Sequence, residues 1–167
     1  MDFLWTPWRY QYVTAPEKRN QCIFCAAVSD TAHDQERLVV YRGEHNLLML
    51  NRYPYTSGHV MIVPHDHTST LENVADETLV ELIRLARSAE KTLRTVYRPD
   101  GLNLGFNLGR SAGAGIADHV HLHALPRWSG DTNFMTSIGE TRVLPEDLEV
   151  TWQRLRAAFA ASFETER

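Results

Sequence analysis

The sequence predicts an α+β domain with an antiparallel sheet of about five strands, a long central helix and a C-terminal helix. Two observations carry that expectation. Short apolar, β-branched runs in the middle of the chain are separated by turn residues, the pattern of strands in hairpins. Two further segments repeat apolar residues at helical spacing, the pattern of helices with one buried face. Hairpin strands beside a few helices make an α+β architecture.

Residues 1–20 hold Trp5, Trp8, Tyr10 and Tyr12 among polar residues and read as an aromatic arm lying on the domain or on a neighbouring subunit. Leu38-Val39-Val40-Tyr41 reads as a strand, Gly43 to Asn46 as a turn, and Leu47 to Leu50 as the second strand of a hairpin. After a loop from Arg52 to Gly58, His59 to Val63 is another strand, stopped by Pro64. A helix runs from about Asp76 to Tyr97, with Leu79, Leu82, Ile83, Ala86, Leu93 and Val96 on its buried face. Asp76 and Glu77 suit the positive end of its dipole, and Pro99-Asp100-Gly101 ends it. Leu102 to Leu108 reads as a strand, Gly109 to Gly115 as a small-residue loop, and His119 to Leu125 as a further strand. A second helix occupies about 145–165, with Leu148, Trp152, Leu155, Phe159 and Phe163 on one face.

The chain has 167 residues, 43% apolar and 23% charged, which suits one globular domain over 1–167 and excludes a disordered or collagenous chain. It shows no internal repeat, and no apolar run approaches the roughly 20 residues of a membrane span. The opening MDFLWTPWRYQY lacks a basic segment followed by an apolar run, so no secretory signal and a cytoplasmic location are expected. A net charge of −4 argues against a broad nucleic-acid surface but leaves room for a small anionic ligand held by local donors.

Chemistry concentrates in His119-Val120-His121-Leu122-His123. Side chains alternate along a strand, so the three imidazoles share one face, about 6.5 Å from each to the next, and Val120, Leu122 and Ala124 take the other. The row has three readings. It can be solvated histidines, a metal site, or a nucleophile toward phosphorus whose protonated neighbours attract phosphate oxygens. The preceding loop favours phosphate. Gly113, Ala114 and Gly115 offer backbone amides with close approach, and Asn107, Arg110 and Ser111 add donors. Separately, Cys22-Ile23-Phe24-Cys25 cannot build a disulfide framework; its spacing fits half a metal site or a redox pair, and no βαβ pattern surrounds it to favour redox.

The row, followed by Ala124-Leu125, resembles the histidine-triad (HIT) motif. Pro126-Arg127-Trp128, Leu50-Asn51-Arg52-Tyr53-Pro54 and Gly58-His59-Val60 are similar to the branch of that superfamily that handles dinucleoside polyphosphates. The resemblance runs from Trp5-Thr6-Pro7-Trp8-Arg9 through Asp131-Thr132-Asn133-Phe134 to the last helix. It implies a HIT-like fold and a nucleotidyl-transferring enzyme acting on substrates such as diadenosine tetraphosphate. In that picture His121 attacks the α-phosphorus and becomes adenylylated, His123 binds the phosphate or the bridging oxygen, and His119 orients the nucleophile. Asn51 stands where members hold the ribose hydroxyls, and Asn107 where an amide contacts the phosphates. Trp128 lines a second nucleotide or phosphate pocket, or packs in the core. Many members carry Gln four residues before the first histidine, where this chain has Gly115, so backbone amides or Ser111 must serve there. The phosphorylase branch also has small residues at this place, which points to inorganic phosphate as acceptor, giving ADP and ATP; water would give AMP instead.

Zinc-containing members imply a structural zinc held by Cys22, Cys25, His67 and His119, with His65 as a competing ligand. Members form homodimers, so a homodimer or larger homo-oligomer is expected. The competing functions are a HIT hydrolase of phosphoramidates or dinucleoside polyphosphates, a metal-dependent hydrolase using the three histidines as ligands, and a nucleotide-binding module without turnover. His33 and His45 read as surface residues, and His59 either braces its strand or faces the site.

Overall fold

The computed structural model describes residues 22–133, 136, 138 and 144–164. The aromatic arm with Trp5, Trp8, Tyr10 and Tyr12, Phe134 and the side chain of Phe163 lie outside them.

Two short helices, α1 (Ile23–Ser29) and α2 (Asp34–Arg37), lead into three strands, β1 (Val39–Arg42), β2 (Asn46–Leu50) and β3 (Val60–Pro64). The long helix α3 (Asp76–Tyr97) crosses to β4 (Gly101–Phe106), β5 (Leu122–Arg127) follows, and α4 (Leu148–Glu164) closes the described chain. All strand pairs are antiparallel, and the five strands lie in the order β1-β2-β3-β5-β4. This is the α+β sheet expected from the sequence. Neither α1 nor α2 carries a periodic signal long enough to announce it; four and seven residues are less than two turns.

Strands β2 and β3 are buried on both faces, which is why they read as unbroken apolar runs. Val40, Leu48, Leu50, Val60, Ile62, Leu122 and Ala124 meet α3 and α4 on one face. The alternate residues Val39, Leu47, Met49, Met61 and Val63 meet Phe24 and Ala27 of α1 on the other. The β1–β2 turn is pinned by α3, whose Glu81 carboxylate accepts the N–H of Glu44 at 2.7 Å, the N–H of His45 at 2.8 Å and Asn46 Nδ2 at 2.7 Å.

One residue of a buried face and several boundaries differ from expectation; among the boundaries, β4 ends at Phe106 rather than Leu108. Ile83 is not on the buried face of α3 but 62% exposed, while Leu85 and Ala89 are buried. The buried stripe is centred on Leu82, Ala86, Ala89 and Leu93, and Ile83 lies one residue, roughly 100°, off it. The C-terminal helix begins at Leu148 rather than 145, because Asp147 caps it through Oδ1 to the N–H of Glu149 at 2.8 Å. The last strand begins at Leu122 rather than His119. Beyond Ile62 paired with Leu122 the ladder stops; the His119 ring donates to the Pro64 carbonyl at 2.9 Å, and the N–H of Val120 turns to Thr68 O at 2.6 Å.

Candidate active site

The three histidines stay on one face although the first two have left the ladder. Ring contacts join His67 to His119 at 5.0 Å between centroids, and His121 to His123 at 4.8 Å and on to His59 at 5.1 Å. Phe24 of α1 packs on both His119 at 5.3 Å and His121 at 4.9 Å. His123 lies opposite Met61 on β3 and Gly105 on β4.

Hydrogen bonds fix which nitrogen of each ring carries the proton. His121 Nδ1 lies 2.8 Å from the carbonyl of His119, which only accepts, so Nδ1 holds the hydrogen and Nε2 keeps its lone pair. The N–H of Tyr55 donates to His59 Nδ1 at 3.2 Å, so the His59 proton is on Nε2. That nitrogen is 3.0 Å from His123 Nδ1, which therefore accepts and leaves a donor N–H on His123 Nε2. Neighbouring rings thus offer a lone pair and a donor. Burial holds the His121 pKa below its ordinary value, against the opposing effect of the His119 carbonyl. Burial, with His121 beside it, pushes His123 down to about 4. Both rings are neutral at pH 7, so the expectation of protonated neighbours attracting phosphate is corrected to neutral N–H donors.

The row opens into a cavity of about 620 Å³, within the usual range for ligand sites. Its polar lining comes from Asn51, Tyr53, Tyr55, Asn107, His121 and His123, and its cations from Arg37 and Arg52. No carboxylate lines it among the described residues, so in a chain of net charge −4 this hollow still suits an anion. Arg52 Nη2 is tethered to Glu36 O at 2.8 Å and Arg37 Nε to Asp30 Oδ2 at 3.1 Å. Apolar walls come from Ile23, Phe24, Met49 and Met61.

Beside the cavity, Cys22, Cys25, His67 and His119 bring one donor atom each within 4.8 Å of one another. Cys25 Sγ is 3.2 Å from His67 Nδ1, while His119 Nδ1 is 3.5 Å from Cys22 Sγ and 3.7 Å from Cys25 Sγ. A tetrahedral ion with sulfur at about 2.3 Å and nitrogen at about 2.0 Å sets such ligands about 3.5 Å apart, so these donors fit one metal ion. His119 gives its other nitrogen to the Pro64 carbonyl, which turns the Nδ1 lone pair to the thiols. This is the one group of metal-holding type among the described residues. The alternative in which all three row histidines share a metal is not formed, because His121 and His123 face the cavity instead. His65 is not in the group.

Residues 32–130 match the family described as HIT domain. The chain belongs to the HIT domain family. It is 40% identical over 163 residues to the AP-4-A phosphorylase of Mycobacterium tuberculosis (strain CDC 1551 / Oshkosh), an alignment covering 94% of this chain and 84% of that one. Protein hit of Bacillus subtilis (strain 168) is 30% identical over 131 residues, covering 77% of this chain and 87% of its own. Among solved structures, a Zn-bound histidine triad family protein from Mycobacterium smegmatis superposes with a TM-score of 0.69 at 29% identity, covering 87% of this chain and 97% of that chain.

Within this HIT domain the expected residues divide. Asn51, Asn107, Gly113 and Gly115 line the same cavity as His121 and His123, and Gly113 adopts φ +92°, a left-handed backbone that suits glycine. Ala114 is buried behind them. Arg110 and Ser111 are exposed on a 3₁₀ turn and are not among the lining residues. Trp128 does not line the cavity either; its ring packs edge-on against Tyr97 at 6.3 Å, the packing alternative. His59, undecided from sequence, packs its ring against His123 at the end of the row. Phe24 and Arg37 were missed, and Arg52 stood only within a motif with no role of its own, because nothing local says which distant segments border one hollow.

Proposed function

We propose that this HIT protein is a nucleotidyl-transferring enzyme that cleaves dinucleoside polyphosphates such as diadenosine tetraphosphate, with inorganic phosphate as acceptor. One observation carries the reading: the cavity-lining His121 holds its proton on Nδ1, against the His119 carbonyl, and keeps the lone pair on Nε2. The identity to an AP-4-A phosphorylase over 94% of the chain supports the substrate class. His121 Nε2 attacks the α-phosphorus; a phosphorus–nitrogen bond forms, the bond from that phosphorus to the bridging oxygen breaks, and ATP leaves. The His123 Nε2–H faces the oxygen that gains charge, and Asn107 with the amides of Gly113 and Gly115 holds the phosphoryl oxygens. Asn51 holds the ribose. Phosphate then attacks the adenylyl group, the phosphorus–nitrogen bond breaks and ADP leaves.

Cys22, Cys25, His67 and His119 would hold a zinc ion; two thiolates neutralise its charge and suit a closed structural site rather than a reacting one. We further read the chain as one HIT-like domain over 1–167, cytoplasmic and homodimeric. No described helix is long and apolar enough to cross a membrane.

Product analysis with diadenosine tetraphosphate tests the reaction. ADP plus ATP formed only with added phosphate supports it. AMP plus ATP without phosphate makes the protein a hydrolase, and no product at all leaves a binding module. Protein denatured at alkaline pH, where the phosphorus–nitrogen bond survives, should carry labelled adenylate on His121.

A further inference from the structure

His67 is exposed and lies outside the cavity, and on the proposed reaction it touches nothing that reacts. Its position matters through α1. That helix has seven residues, too few to persist alone in water. Three attachments hold it. Phe24 and Ala27 are buried in the smaller apolar cluster. At its C-terminal end the Arg42 guanidinium, itself paired with Asp34 at 2.8 Å, donates to the carbonyls of Ala27 at 2.9 Å and Asp30 at 2.8 Å. At the N-terminal end there is no side-chain cap; Cys22, at the N-cap position, and Cys25, in the first turn, instead meet His119 and His67. Between these ends α1 presents Ile23, Phe24, Ala26 and Ala27 as a wall of the cavity, with the Phe24 ring against His121.

Two mechanical links therefore run from the four-ligand group to the cavity. One passes through α1 to the Phe24 wall. The other passes through His119, whose Nδ1 faces the thiols and whose carbonyl holds the Nδ1–H of His121 at 2.8 Å. We propose that His67 is a positioning residue for nucleotide binding. With Cys22, Cys25 and His119 around one metal ion it fastens the open end of α1 to the β5 approach, and so holds the Phe24 wall and the His121 ring in register. This rests on the reading of the cavity as a nucleotide site. The larger core, on the opposite face of the sheet, shares no residue with these links, so loss of the metal loosens the cavity before it unfolds the protein.

The test compares zinc-loaded wild-type protein, the same protein after chelation, and His67→Ala, His67→Cys and Phe24→Ala variants. AMP affinity is read by calorimetry, the His121 Nδ1–H by its proton resonance in histidine-labelled protein, and the fold by far-UV circular dichroism. Chelated and His67→Ala protein should keep their helical signal, bind AMP about 10- to 100-fold more weakly, and lose or broaden the resonance. His67→Cys, which restores a fourth ligand, should recover both. Phe24→Ala should weaken AMP binding similarly while retaining one equivalent of zinc. AMP affinity within about twofold of the loaded protein in the chelated sample, with the resonance unmoved, overturns the proposal. So does global unfolding on chelation, which would make the ligands a fold staple. If loaded wild-type protein binds no AMP, the nucleotide reading fails, and the resonance alone still decides whether His67 positions His121.

Discussion

On the α3–α4 face of the sheet, Leu82, Leu85, Leu93, Leu155 and Phe159 interlock with strand residues that are at most a few per cent exposed. On the opposite face α1 and Ile116 cover the strands, and the same strands there present methionines, histidines and a hollow of about 620 Å³. Neighbouring residues of one strand thus serve opposite ends. Leu122 and Ala124 are core, while His121 and His123 line the cavity, and the period of two keeps them apart. On the proposed function, stability and reactivity are separated by the thickness of a β-sheet, so changes on one face should spare the property housed on the other.

The hardest blow to that separation comes from the reactive face. His121→Ala should lower turnover of diadenosine tetraphosphate by at least about 10⁴-fold, the scale seen when a nucleophile is removed, with the thermal midpoint nearly unchanged. Steady-state assays beside calorimetric melting check both halves. Next is the opposite face. Phe159→Ala should cost about 3–5 kcal/mol of stability, measured by denaturant unfolding, with kcat unchanged at temperatures where the variant is folded. A parallel loss of kcat would break the comparison.

His59→Ala sharpens it, because His59 acts through His123 rather than on substrate. Without it the proton of His123 is free to move to Nδ1, and kcat should fall by up to about 10²-fold with KM little changed. Acidity tests the cost of placing neutral imidazoles under cover. His123 has a folded pKa of about 4 against an ordinary value of 6.5, so the unfolded chain takes up a proton first. The contribution is complete above pH 6.5 and is lost as pH falls toward 4, on the order of 3 kcal/mol at the limit. Replacing His123 with Asn should flatten that stretch of a stability-versus-pH curve. The smallest effect belongs to Gly58→Ala. Its φ of +80° and a Tyr97 ring carbon 2.7 Å from the added methyl should cost about 1–2 kcal/mol, read as a shifted urea midpoint.

Legibility in the sequence followed the same divide. The long helix was readable to its ends because Asp76-Glu77 and Pro99-Asp100-Gly101 are local punctuation. The shared face of the histidine row was readable because alternation is local too. His59 was not, since it reaches His123 across 64 residues of chain through the pairing of Val60 with Ala124. Helix α1 was invisible because it is held by thiols and an arginine from β1 rather than by its own periodicity. Arg110 and Ser111 were expected at the ligand because their loop is glycine-rich, but the 3₁₀ turn at Arg110–Ala112 carries them outward.

The outermost carbonyl of β1 has a further consequence. Val39 O accepts the Trp152 indole N–H at 2.8 Å and Arg156 Nη1 at 3.2 Å, beside a register shift between Val39 and Tyr41. That margin of the sheet is therefore occupied at Val39 and irregular there, whereas β4 at the other margin shows Asn103, Leu104 and Gly105 to solvent. Among the described residues, strand addition is left to the β4 side. On the homodimeric reading proposed above, two such chains joined there would exhaust each other's growing ends, which favours closed pairs and disfavours fibres.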